Sequence, residues 1–186
     1  MTYYLKRPVI IGSGTAQKWL EHLDEFTLVT SKSPARYFKS IIDEKNPTIF
    51  MDPSIEVIDL ASMVPKVKTK WVVGIGGGRV NDAAKYLAKR ARKKLCLIPS
   101  ILSTTSWLNI AIAVRKDRKL FFPSTKQPNK IIIDADLISS APPVLNLGGL
   151  ADLLCCASAI GDWIISHLTN GEKISKRGVK EFEIYI

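Results

Sequence analysis

Residues 71–78, WVVGIGGG, place four glycines in five positions at the end of an apolar run. Apolar residues without alternation read as a strand buried on both faces. The basic, amphipathic pattern at 81–93 reads as a helix, with Ala84, Leu87, Ala88 and Ala91 on one face. The chain therefore has to pass from a buried strand to a helix through glycines. Such a turn lets backbone N–H groups approach a phosphate with no Cβ in the way, at the positive end of the helix. On this reading Asn81 caps the helix, Asp82 binds free N–H groups of its first turn, and Arg79 adds a positive charge. The same glycines also suit a turn that serves only close helix–sheet packing, and the stretch alone leaves both readings standing. Arg79 stands where GxGxxG has its last glycine, and no GK[ST] follows, so neither standard phosphate fingerprint applies.

The flanking sequence repeats the strand–helix alternation. PVII (8–11) is a strand broken by Gly12-Ser13-Gly14, and 16–23 is a helix. FTLVT (26–30) is a strand, and 34–45 is a helix with Tyr37, Phe38, Ile41 and Ile42 at helical spacing. TIFM (48–51) and EVIDLA (56–61) are weaker elements of either kind, and LCLIP (95–99) is a further buried strand. The pattern predicts an α/β fold: a Rossmann-like, mostly parallel sheet with helices on both faces. Ligands in such sheets sit at the carboxyl ends of the strands, which groups the loops 12–15, 74–82 and 99–106. KLFFPS (119–124) and KIIIDADLI (130–138) are expected to form a hairpin or meander. APP (141–143) and Gly148-Gly149 mark a boundary. It divides residues 1–145, a nucleotide-binding domain, from 146–170, the start of a helical second domain. The 171–186 tail reads as an edge strand or a loose end. The apolar stretch 145–168 carries Asp152, Asp162 and His167, costly in lipid, and is expected to be a buried helix and no membrane span.

Charge narrows the partners. Lys and Arg total 27 against 17 Asp and Glu, a net +10, which favours nucleotides, phosphorylated metabolites, nucleic acid or acidic membrane surfaces. The basic residues scatter without an aromatic platform, which argues against nucleic acid. The three cysteines, Cys96, Cys155 and Cys156, form no CxxC; the adjacent pair is expected to pack as small hydrophobes in a reducing compartment. The N-terminus lacks a signal-peptide layout, so a cytoplasmic location is expected.

Three motifs in order carry a family resemblance. Gly76, Gly77, Gly78, Asp82, Ala84 and Lys85 spell GGGxxxDxAK; IPSILSTTSW follows at 98–107 and APPVLNLGGLADLLCCASAIGDW at 141–163. The chain resembles, over about residues 5–165, the superfamily of iron-containing alcohol dehydrogenases, glycerol dehydrogenases and dehydroquinate synthases. Asp162-Trp163 is especially like the sn-glycerol-1-phosphate dehydrogenases. The resemblance implies a Rossmann-like domain holding NADP or NAD, and Zn or Fe polarising the alcohol of a small phosphorylated polyol or ketone. It places the pyrophosphate on Gly76, Gly77, Gly78, Arg79, Val80, Asn81 and Asp82, and the cofactor along Ser100, Ile101, Leu102 and Ser103. It makes Asp152 the carboxylate for metal, substrate and catalysis. Thr30, Ser31 and Lys32, with no acidic residue after the second strand, favour NADP.

Three departures follow from the same comparison. Thr105 stands where the family has a substrate-contacting Asp, and Asn109 where a small hydroxyl residue is common. Ala151 replaces a usual Gly. The metal-binding histidines of a C-terminal domain have no counterpart, since only His167 follows Asp152 and His22 lies in the first helix. The chain thus looks like the first half of a family member, either an incomplete dehydrogenase or a non-catalytic nucleotide-binding or interaction protein. Its apolar second-domain helix is expected to expose surface and favour self-association.

Overall fold

The computed structural model describes residues 9–39, 46–51 and 56–175. In chain order they form β1 (Val9–Gly12), α1 (Thr15–Leu20), β2 (Thr27–Thr30), α2 (Lys32–Ala35) and β3 (Thr48–Phe50). Then come α3 (Val57–Met63), β4 (Trp71–Gly76), α4 (Gly78–Arg90), β5 (Lys94–Pro99), β6 (Val114–Lys116) and β7 (Lys119–Phe121). The chain continues through β8 (Lys130–Asp134), α5 (Ala135–Ser139) and α6 (Pro143–Asn170). Short 3-10 turns, Arg36–Phe38 and Val64–Lys66, extend α2 and α3. Residues 40–45 of the expected helix and 176–186 of the tail lie outside the described residues.

Six strands form one parallel sheet in the order β1-β8-β5-β4-β2-β3. Helices cover both faces, as expected. Leu60 of α3 and Ala83, Ala84 and Leu87 of α4 pack on one side with Val72 and Leu97. Ala16 and Leu20 of α1, Phe38 and Leu137 of α5 pack on the other with Val73, Ile98 and Ile132. Of the segment 56–61, residues 57–61 are helical, with Glu56 as the extended N-cap of α3.

The expected meander at 119–138 is incorrect. β7 pairs antiparallel with β6, while β8 leaves for the main sheet and inserts between β1 and β5. KIIID is apolar without alternation, the mark of a central parallel strand buried on both faces. This insertion moves β1 to the sheet edge, so loop 12–15 is parted from the loops after β4 and β5. Asp134, at the end of β8, caps α5 by accepting the Asp136 and Leu137 amides, and also accepts the Ala16 amide of α1.

Contact between α4 and β4 is close enough to require glycine. A Cβ on Gly74 would lie 2.7 Å from the Ala84 Cβ and 3.0 Å from Leu97 Cδ2, and one on Gly76 would lie 2.7 Å from the Val80 side chain. The packing reading of the glycine turn thus holds for Gly74 and Gly76.

The expectation of a buried helix at 145–168 is overturned, and the expectation that the second-domain helix exposes apolar surface is met. α6 leaves Val144, Leu147, Leu150, Leu154, Ile165 and Leu168 exposed, together with Cys155 and Cys156, because it touches the α/β body only near its start. By length and composition α6 could cross a membrane, with a mean hydropathy of 1.6, though Asp152, Asp162 and His167 interrupt it. Gly148 and Gly149 are no break: they lie within α6, where a Cβ on Gly149 would overlap the Leu102 carbonyl. Cys96 is buried, and burial pushes its thiol well up, past the weaker opposing effect of Lys130.

A methyl at position 74 has no room to relax, since it meets a helix Cβ and not a flexible tip. Gly74→Ala is expected to destabilise the fold by about 1–3 kcal/mol, read as a lower midpoint in urea unfolding.

Candidate functional site

Where β2, β4 and β5 end, the chain leaves a cleft of about 1170 Å³. Its floor is the glycine turn. α4 starts at Gly78, three residues before the expected helix start, with Gly77 as an extended N-cap that makes no side-chain cap. No acidic residue occupies the first turn. The amides of Gly78, Arg79 and Val80 precede the first intrahelical bond, Asn81 N–H to the Gly77 carbonyl. Free amides and the positive helix end thus meet at the cleft. A Cβ on Gly77 would press on Ile101 Cδ1 at 3.0 Å, and one on Gly78 on Thr104 Oγ1 at 3.1 Å. These two glycines keep the turn open toward the loop after β5.

Of the residues singled out in the sequence, Gly77, Gly78, Arg79, Val80, Asp82, Ser100, Ile101, Ser103, Thr105 and Asp152 line the cleft. Gly76 is buried behind the turn. Leu102 lies outside the lining and fixes the loop, its amide donating to Asn146 Oδ1 of α6 at 3.0 Å. Asn81 is no cap: it is interior to α4, 1% exposed, with Nδ2 donating to Ser106 Oγ at 3.3 Å and Oδ1 unpartnered among the described residues. Thr30 is also turned away, its hydroxyl donating to the Ile75 carbonyl at 2.8 Å.

Asp82 does not hold first-turn amides. Its Oδ2 accepts the Ala113 amide at 2.9 Å, and its Oδ1 lies 3.3 Å from Lys85 Nζ. Lys85 is fully buried; its ammonium also donates to the Ser106 carbonyl and, at 3.2 Å, to the Ala111 carbonyl. One ion pair on α4 therefore fixes both ends of the 106–113 segment that walls the cleft. Burial raises the Asp82 carboxyl above its usual range, outweighing the Ala113 amide and Lys85, and burial lowers Lys85, outweighing Asp82. A raised carboxyl contributes most to stability below its unfolded value, and that contribution is lost as pH climbs through the folded value. A lowered amine gains its full contribution only above its unfolded value. At neutral pH the pair thus costs solvation and returns geometry.

Of the residues expected to face the cofactor at the end of β2, Ser31 lines the cleft and Lys32 does not, while sequence reasoning missed Ser33, Arg36 and Tyr37, which complete that wall. The signal was available in principle, since 31–37 follows a strand's carboxyl end. Tyr37 is raised above its usual value by burial, then by Asp134 and Asp136. For a metal the residues present do not fit. Among the described residues no three His, Cys, Asp or Glu side chains cluster, and Asp152 lines the cleft from α6. His167 meets the Glu172 carbonyl, and His22 the Lys18 carbonyl.

Removing the lysine leaves a buried, unpaired carboxylate. Lys85→Met is expected to lose about 3–5 kcal/mol at neutral pH. The loss should shrink toward acid pH as Asp82 takes up a proton, which denaturant melts across a pH series will read.

Comparison with known proteins agrees with this architecture. The family described as iron-containing alcohol dehydrogenase matches residues 24–142. The NAD(P)+ glycerol-1-phosphate dehydrogenase of Caldivirga maquilingensis is 29% identical over 94% of this chain and 53% of its own length. The enzyme of the same name from Aeropyrum pernix is 27% identical over 88% of this chain and 51% of its own length. The chain therefore spans about half the length of these relatives. In fold it is similar to an iron-containing alcohol dehydrogenase from Thermotoga maritima, with a TM-score of 0.67 at 17% identity over 82% of this chain and 53% of that one. A GGGxxxDxAK turn that floors the cleft, a parallel sheet behind it and a family match across most of the cleft lead to one conclusion: the chain belongs to the iron-containing alcohol dehydrogenase family.

Proposed function

We propose that this chain is the nucleotide-binding half of an NAD(P)-dependent dehydrogenase of the glycerol-1-phosphate type, which interconverts dihydroxyacetone phosphate and glycerol 1-phosphate. The observation that carries the reading is the uncapped N-terminus of α4, opening through Gly77 and Gly78 onto a cleft large enough for a dinucleotide. Residues 1–145 form the nucleotide domain in this reading, and 146–170 begin a helical second domain. The work is cytoplasmic.

Each group has a role. The amides of Gly77, Gly78, Arg79 and Val80 take the pyrophosphate, with the Arg79 guanidinium as counter-charge. Ser100, Ile101 and Ser103 line the cofactor, with Leu102 holding their loop against α6. Thr105, braced by Asn109 Nδ2 at 3.0 Å, offers a hydroxyl to the substrate. When bound, the nicotinamide supplies the hydride acceptor and donor. Asp152 faces the cleft as the substrate carboxylate. With no cluster of three His, Cys, Asp or Glu side chains among the described residues, zinc or iron binding requires donors beyond them, and no step is assigned to a metal. The absence of such a cluster among the described residues favours a second reading for this chain alone, a nucleotide-binding protein without turnover.

The adenosine end favours NADP. Arg36, with Ser31 and Ser33, lines the cleft beyond β2, and the lining carboxylates, Asp82 and Asp152, lie elsewhere. An Arg there suits a ribose 2′-phosphate. Loss of one charge-assisted hydrogen bond, about 1.5–3 kcal/mol, should make Arg36→Ala bind NADPH at least tenfold more weakly and leave NADH almost unchanged.

The deciding assay titrates NADPH against the protein, then adds Zn²⁺ and dihydroxyacetone phosphate and follows the nicotinamide absorbance. Turnover supports the dehydrogenase. Binding without turnover supports the second reading, and absence of binding removes both. Gly78→Val, which fills the turn, is expected to abolish NADPH binding while the protein stays folded by circular dichroism.

A further inference from the structure

Beyond the 106–113 wall, β6 and β7 form a hairpin whose residues 115–121, RKDRKLF, are exposed and used by nothing in the proposed reaction, while Ala113 and Phe122 on either side of it line the cleft. Arg115, Lys116, Arg118 and Lys119 are all exposed, against the single carboxylate of Asp117. None of the four cations makes an ion pair or side-chain hydrogen bond among the described residues; the Arg115 backbone bridges that of Glu56 at the hairpin base. Two features work against the hairpin's own stability. Lys116 and Lys119 are directly opposed across the strands, a like-charge pairing that repels. The turn holds Asp117 and Arg118 at φ of 52° and 63°, which glycine would hold without strain. Beside the cations, Leu120 and Phe121 are 51% and 46% exposed.

We propose that this hairpin docks the protein peripherally on an anionic lipid surface. Negative headgroups would relieve the Lys116–Lys119 repulsion and engage Arg118 at the tip, while Leu120 and Phe121 enter the headgroup boundary. Charge complementarity selects an anionic partner, and the apolar residues select lipid over nucleic acid. Leu120 cannot stack on a base. Phe121 alone makes no stacking platform, whereas a hairpin entering the boundary tip first brings residues of both its faces, Leu120 and Phe121, against lipid.

The test sediments the full chain with phosphatidylcholine vesicles, with and without phosphatidylserine, over a salt series. Retention on the anionic vesicles alone, weakening with salt, is expected. Each cation near the surface should be worth about fivefold in affinity, so Lys116→Ala/Lys119→Ala should bind about 25-fold more weakly. Arg118→Gly should bind about fivefold more weakly and yet melt no lower than the parent, because it removes strain. That pairing separates lost docking from lost folding. Equal retention on neutral vesicles would assign the binding to the apolar α6 and overturn the proposal. Retention unaffected by these variants, no retention at all, or tighter hairpin-dependent binding to single-stranded RNA would overturn it as well.

Discussion

The buried pair of Asp82 and Lys85 is the contact on which the shape of the cleft depends. Both residues belong to one helix, so the pair does little to hold α4 itself. Its work lies in what each partner grips beyond the helix: Ser106, Ala111 and Ala113. Those contacts turn an otherwise irregular segment after β5 into a fixed wall facing the glycine turn. The cost is desolvation of two charges, visible in the opposite displacements of their proton affinities. A hydrophobic pair would pack there more cheaply but could not hold two carbonyls and an amide in place.

The glycine turn makes sense only together with that wall. Its four glycines divide the labour. Gly74 and Gly76 let α4 lie close on β4, while Gly77 and Gly78 keep the mouth open toward Ile101 and Thr104. The choice between a packing turn and a phosphate cradle is therefore not exclusive. Packing brings the helix end to the edge of the sheet, and the absence of a side-chain cap leaves its amides available there.

Much of the fold was legible in the residues. Unbroken apolar runs gave β2, β4 and β5, and helical spacing gave the buried face of α4, because both patterns report burial locally. What failed depended on distant partners. The place of β8 between β1 and β5 is a matter of sheet order, which a short strand such as KIIID does not encode by itself. Lys85 resembles any surface lysine until the carbonyls of 106 and 111 are brought over it. Asn81 had the chemistry of a cap but the wrong register, since the helix starts three residues earlier on glycine. Apolarity alone suggested burial of 145–168, whereas the resemblance to half of a family member implied the exposed surface that α6 has. Asp152 lines the cleft, and no cluster of three His, Cys, Asp or Glu side chains forms around it among the described residues.

The central claim is that a nucleotide lies across the mouth of α4, between the glycine turn and the loop that Lys85 holds. Hydrogen–deuterium exchange with and without NADPH tests it directly on the full chain. Peptides covering residues 76–82 and 100–106 should gain protection on addition of nucleotide, while β1 and the 115–121 hairpin remain unchanged. Protection confined to the hairpin or α6, or none in the glycine turn, would contradict the account.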